Sequence, residues 1–242
     1  MATTHPKTIV MLKHESSPFN DRAGDELTRL GYQIEWRTPF ADGRPLGLPD
    51  EAVAGTIIYG GPYCVADAPD LPFLADEMRW IEACMATDMP VIGFCQGAQM
   101  IAAIAGAWVG PGDHDQHEFG YYPIYPTAQA GNFLTAPLHV TQAHFHTFGI
   151  PSGATHLALS DLYKNQAFLL GNRIYGFQFH AEITIQGFQR WQDEFWGDDF
   201  YGQPGAQDRA TQDRLAIEHD AAQDAWFRAF IRSQFMDLSE LT

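Results

Sequence analysis

Residues 91–100 read VIGFCQGAQM. An apolar run stops at Gly93, Cys95 follows, and Gly97 opens a stretch of helical composition. Cys95 is one of three cysteines in 242 residues, with Cys64 and Cys84. Gly93-Phe94-Cys95-Gln96-Gly97 fits the nucleophile elbow, a sharp strand-to-helix turn that carries a reactive side chain. Flanking glycines let strand and helix approach closely around a strained backbone. A thiol at a helix N-terminus also feels the positive end of the dipole, which favours the thiolate. The backbone N–H of Gln96 would then face an oxyanion forming on a carbonyl attacked by Cys95. The same pattern suits a buried structural cysteine at a tight turn, so a base is needed to decide for chemistry.

Ile174–Glu182 reads IYGFQFHAE. In an extended chain His180 and Glu182 point to the same side. A carboxylate beside an imidazole fixes its tautomer and stabilises the imidazolium formed when it takes a thiol proton. An isolated His-x-Glu is usually a solvated surface pair; here it follows an apolar strand in a chain that carries the elbow. Gly60-Gly61-Pro62 is the third piece. A double glycine at a strand end exposes backbone N–H groups that could complete an oxyanion site, although such glycines alone are usually turn formers.

The elements that must hold these residues alternate. Strands are expected at Lys7–Leu12, Tyr32–Arg37, Gly55–Tyr59 and Pro90–Phe94, and helices at Asp21–Leu30, Leu71–Thr87 and Gln96–Ala105. The helix over 71–87 should turn Phe73, Leu74, Met78, Ile81 and Met85 to one side. Such alternation implies right-handed crossovers, a mostly parallel sheet, and a site beyond the strands' carboxyl ends. Past Gly106 come short β-like runs at Tyr121–Tyr125, Leu138–Thr141, His156–Ser160, Ala167–Leu170 and Ile174–Phe179. From about residue 183 a helical tail follows, rich in aromatics (Phe188, Trp191, Phe195, Trp226, Phe227 and Phe230), with Asp198–Gln207 as a loop between helices. These aromatics fit a core or an oligomer contact better than a cofactor site. The whole chain, 1–242, reads as a single domain.

Taken together and in this order, IIYGGPYC (57–64), PVIGFCQGAQMIAAIAGAWV (90–109), HEFGYYPI (117–124) and NQAFLLGNRIYGFQFHAEIT (165–184) resemble the class I glutamine amidotransferases, most closely stand-alone GMP-synthase-like members. The resemblance implies a flavodoxin-like α/β fold and a Cys95-His180-Glu182 triad. It assigns oxyanion N–H groups to Gly61 and Gln96, and gives Gln99 a place along the substrate's glutamyl part. The implied reaction is hydrolysis of a γ-carboxamide through a γ-glutamyl thioester, releasing ammonia and glutamate. Two departures stand out. Gln142-Ala143-His144-Phe145-His146 replaces a segment that helps hold the amino-acid end of glutamine, so His144 and His146 fall at substrate-binding positions and His146 stands where a carboxylate is expected. The family's His-Pro-Glu is His-Ala-Glu here. No phosphate-binding synthase motif occurs in the chain. Ammonia transfer would therefore need a separate synthase subunit. The competing readings are a γ-glutamyl peptidase-like hydrolase and a catalytically silent relative that binds a small ligand or a partner.

Bulk properties narrow the remaining options. A formal net charge of −16, from 30 acidic and 14 basic residues, disfavours nucleic acid and anionic membranes as partners. The first residues, MATTHPKTIVMLKH, lack the apolar core of a signal peptide, no stretch approaches a membrane span, and the odd cysteine count suggests no disulfide framework. A reducing cytoplasm is the simplest expectation. Asp113, His114, Asp115 and His117 have a spacing that suits a metal, but a solvated acidic loop explains them better, and no metal or other cofactor is expected. Glu118 is placed to shape the pocket, Cys64 to lie near Cys95, and Cys84 to pack.

Overall fold

Four mostly apolar runs, β1 (Thr8–Leu12), β3 (Val53–Ile58), β4 (Val91–Phe94) and β11 (Ile174–Phe177), are buried as strands covered on both faces must be. With β2 (Gln33–Arg37) at the edge they form a parallel block ordered β2-β1-β3-β4-β11, the flavodoxin-like order. The computed structural model describes residues 7–15, 21–112, 116–195 and 200–236.

Between β4 and β11 the chain builds β5 (Val109–Pro111), β6 (Glu118–Pro126), β7 (Leu138–His144), β8 (His146–Phe148), β9 (Thr155–Leu159) and β10 (Ala167–Leu170). Four of these extend the sheet antiparallel in the order β10-β9-β6-β7, and β5 and β8 form a separate ribbon. β6 and β7 run further than their apolar runs suggest, because Glu118 pairs in register with His144 and their polar ends stay inside the sheet. β11, in turn, stops at Phe177, two residues short of the expected end.

Helices α1 (Arg22–Arg29), α2 (Pro39–Asp42), α3 (Pro72–Met85), α4 (Gln96–Ile104), α5 (Ile185–Arg190) and α6 (Arg209–Phe235) cover the two faces. α1 starts where Asp21 accepts from the Gly24 N–H, a side-chain N-cap. α3 buries Leu74, Glu77, Trp80, Ile81 and Cys84, so its inner face is rotated from the expected Phe73, Met78 and Met85 stripe. A carboxylate can sit on that face because His14 pairs with it, 2.8 Å away. Cys84 packs there, and burial pushes its thiol up to about 12.

α6 spans 27 residues, about 40 Å at 1.5 Å per residue. Its buried Phe227, Phe230, Ile231 and Phe235 lie on the same side of the sheet as α1, over Ile9, Met11, Ile57, Phe94 and Phe177, while Ala216 packs with Phe119, Tyr121 and Phe188. The tail aromatics Phe188, Phe227 and Phe230 are core residues, as anticipated. The described part of 198–207 is a turn-rich connection. Among the described residues no helix is long and apolar enough to cross a membrane.

Candidate active site

The loops after β1, β3, β4 and β11 meet at the carboxyl edge of the parallel block, where open α/β sheets place their ligands, around a cavity of about 280 Å³. Cys95 ends β4 and begins α4 with φ 48° and ψ −107°, the one non-glycine residue of positive φ among those described. Its N–H donates to the Phe177 carbonyl at 2.7 Å, tying the turn to β11. The glycines beside it are there for space. A Cβ on Gly97 would stand 2.3 Å from the Ile58 carbonyl oxygen, and one on Gly93 2.5 Å from the Gly97 carbonyl carbon. No side chain caps the start of α4.

His180 and Glu182 do meet, but not through strand alternation. The chain leaves the sheet after Phe177 and turns, and the turn is held from three sides. The His180 N–H donates to Thr141 O at 2.8 Å, the Arg22 N–H donates to Glu182 O at 3.0 Å, and Arg22 Nη1 donates to Ala181 O at 3.1 Å. In that turn His180 Nδ1–H donates to Glu182 Oε1 at 2.7 Å with both side chains buried. Nε2 is left free of Glu182 and borders Gly60 beside Cys95, whose thiol lies 3.9 Å from the Ala143 carbonyl, and both side chains line the cavity. Burial alone would lower the His180 pKa; the Glu182 carboxylate and the Cys95 sulfur outweigh it and push the ring up to about 10. At neutral pH the ring therefore holds its proton.

Behind the Gly60-Gly61 turn lies a residue that sequence reasoning missed. His14, buried at the end of β1, donates Nδ1–H to Gly60 O at 3.2 Å and Nε2–H to Glu77 Oε2 at 2.8 Å. Burial opposes its charge, yet Glu77 and the carbonyls raise its pKa above the ordinary value. The 60–61 peptide is trans. Its C=O and N–H therefore point in opposite directions, and a carbonyl held by His14 turns the Gly61 N–H away from His14. Gly60 itself has no room for a side chain: a Cβ would lie 2.7 Å from His180 Cε1 and 3.3 Å from Cys95 Cβ.

Residues 23–195 match the family model described as Glutamine amidotransferase class-I. The chain belongs to the class-I glutamine amidotransferase family. It is 30% identical over 168 residues to the glutamine amidotransferase-like protein YfeJ of Salmonella typhimurium, a match covering 66% of this chain and 69% of YfeJ. It is 28% identical over 142 residues to the GMP synthase [glutamine-hydrolyzing] of Eremothecium gossypii, covering 54% of this chain but only 24% of that enzyme. The fold matches a glutamine amidotransferase of Thermotoga maritima with a TM-score of 0.83 at 24% identity, over 96% of this chain and 100% of the other. A glutamine amido transferase of Methylobacillus flagellatus gives 0.81 at 26% identity, over 93% and 92%. The span matched by the family model takes in the elbow, the glycine turn and the His-Ala-Glu turn, while α6 lies beyond it.

Within this amidotransferase the other anticipated site residues fare differently. Gln99 lines the cavity, its amide donating to Gln178 Oε1 at 3.3 Å. The Gln96 side chain faces away from chemistry and accepts from the Tyr63 N–H at 2.9 Å, which leaves only its backbone for an oxyanion. His144 presents ring surface to the cavity, but both nitrogens are taken: Nδ1 by His146 O and Nε2 by Glu118 Oε2, each at 2.9 Å. Glu118 is the hub of a buried network that also receives Ser160 and Gln166. His146 lines the cavity with Nδ1 3.8 Å from Cys64 Sγ, and burial lowers its pKa despite the pull of Asp67. It is a neutral imidazole at pH 7, not a countercharge for an ammonium group. Cys64 and Cys95 line the same cavity as free thiols.

Asp113, His114 and Asp115 lie outside the described residues, and His117 packs against Phe145 and Phe200. Among the described residues no three His, Cys, Asp or Glu side chains gather for a metal. Trp191, anticipated as core, also contributes to the cavity wall.

Proposed function

We propose that this chain hydrolyses the γ-amide of glutamine, or a related γ-glutamyl bond, through a γ-glutamyl thioester on Cys95. The observation that carries this reading is that Cys95, on a strained turn, and the hydrogen-bonded His180–Glu182 pair line one cavity. Cys95 Sγ attacks the amide carbon, and the backbone N–H groups of Gln96 and Gly61 receive the oxyanion. One such donor is worth about 2.7–4 kcal/mol. The imidazolium of His180 protonates the departing nitrogen, then as neutral imidazole takes a proton from the water that splits the thioester. Glu182 keeps the ring in line throughout. His14 acts through Gly61 as a positioning residue, and Gln99 and His146 border the glutamyl part.

With its pKa lowered, His146 offers no countercharge to the α-ammonium group that glutamine and other γ-glutamyl compounds share. The chain spans about a quarter of the length of the GMP synthases it matches, and a synthase subunit is the partner we propose wherever ammonia is passed on. The test is release of glutamate and ammonia from glutamine and γ-glutamyl dipeptides by the wild type, Cys95→Ala and Cys95→Ser. Both variants should be inactive, and diazo-oxo-norleucine should label Cys95 alone. Undiminished glutamate release by Cys95→Ala would refute the reading.

A further inference from the structure

We propose that the preferred substrates of this site are γ-glutamyl amides of neutral arylalkylamines, whose aromatic part rests on the wall formed by Trp191, Phe200 and Phe145. The inference builds on the thiol chemistry proposed above. The leaving nitrogen must come within hydrogen-bond reach of His180 to collect its proton, so whatever that nitrogen carries lies beside the imidazole. The surface beside the imidazole is Trp191, whose ring meets His180 edge-on at 4.8 Å between centroids. Helix α5 puts it there, continuing from the His-Ala-Glu turn into a π-helical turn, Trp191–Phe195. Outward from Trp191 the wall continues through Phe200 to Phe145, with His117 between them at 5.4 and 5.2 Å.

Phe145 is 45% exposed, one of few large apolar side chains left in solvent. Departing ammonia has no use for such a wall; an aromatic substituent gains offset or edge-on ring contacts along it. The charges point the same way. Among the described residues that line the cavity there is no lysine or arginine, and Glu15 stands on its rim. A leaving group bearing a carboxylate, as in a γ-glutamyl amino acid, would find only His180 and His14 as cations there, each already paired with a buried carboxylate, Glu182 and Glu77. The step balances as ordinary hydrolysis: the Sγ–C bond forms, the C–N bond breaks, the amine leaves with the His180 proton, and water releases glutamate.

The test compares kcat/KM for γ-glutamyl-phenethylamide, glutamine and γ-glutamyl-phenylalanine. The phenethylamide should exceed both others at least tenfold. Phe145→Ala, a change at an exposed ring, should lower its ratio to glutamine about tenfold, with Phe200→Leu shifting the ratio in the same direction. Turnover of glutamine equal to or above the phenethylamide, with a ratio that neither variant moves, overturns the inference and leaves the thiol chemistry standing. Preference for γ-glutamyl-phenylalanine overturns the neutral-amine assignment. Glutamate release from none of the three, with Cys95 unlabelled by diazo-oxo-norleucine, overturns the proposed function and this inference with it.

Discussion

His14 touches no reacting atom, yet its loss should cut catalysis through one peptide bond. The contact it makes to Gly60 O, at 3.2 Å from a buried ring of raised pKa, is charge-assisted. Such bonds contribute about 1.5–3 kcal/mol. Releasing that restraint shifts the orientation of the 60–61 peptide by roughly 10- to 150-fold, reaching no more than the lower part of the 10²–10³ range for complete loss of an oxyanion donor. His14→Ala alone would also strand the Glu77 carboxylate, and breaking a buried pair costs about 3–5 kcal/mol. The informative variants are therefore Glu77→Gln and His14→Ala/Glu77→Gln. In the first, the glutamine amide can donate to Nε2 while Nδ1–H stays on Gly60, so kcat should fall less than tenfold. In the double variant kcat should fall at least tenfold further with KM little changed, because the oxyanion forms only in the transition state. Steady-state glutamate release, beside circular-dichroism melts to verify folding, reads the effect. A folded double variant with kcat within twofold of Glu77→Gln would refute the orienting role.

Arg22→Ala removes a guanidinium that is 2% exposed, bonded to both Asp220 oxygens at 2.6 and 2.7 Å and to Ala181 O at 3.1 Å. Urea unfolding should show a loss of about 3–5 kcal/mol, and kcat should drop more than KM rises as the His-Ala-Glu turn loosens. The pH dependence of stability has a definite sign at His180. Its folded pKa of about 10 lies above the ordinary value of about 6.5. The stabilisation is thus complete below the ordinary value and is lost as pH rises through about 10. The wild-type melting temperature should fall on going from pH 7 towards pH 10.5, and Glu182→Gln should flatten that slope; an equal slope in both would count against the pairing.

The elbow was legible because steric demand leaves a mark: two glycines at fixed offsets around Cys95 mean that something backs onto them, and Ile58 and the Gly97 backbone do. The parallel strands were legible because burial on both faces leaves only apolar residues to read. His180 and Glu182 were recognisable as a pair although the expected extended geometry was wrong; the short spacing tolerates either a strand or a turn. His14 and Glu77 were not legible. They are 63 residues apart, each looks like an ordinary polar residue in its own segment, and only the folded sheet end brings them together. The polar ends of β6 and β7 were hidden for a related reason, since Glu118, Gln142 and His144 fall outside the apolar runs at Tyr121–Tyr125 and Leu138–Thr141 and find their partners only in the fold. α6 conceals its inner face similarly, with Gln212 and Gln223 interrupting the apolar stripe.

One of those buried glutamines bears on the order in which the chain folds. Gln223 Oε1 accepts the Thr141 N–H at 2.6 Å, and Thr141 O in turn receives the His180 N–H at 2.8 Å. Asp220, on the same helix, grips the arginine that spans the His-Ala-Glu turn. Translation delivers these two anchors some forty residues after His180 (from 180 to 220 and 223). A nascent chain can thus lay down its parallel strands and its cysteine while its histidine is still unmoored. Ribosomes that stall ahead of residue 220 should release a chain that carries the thiol but lacks both anchors of the His-Ala-Glu turn.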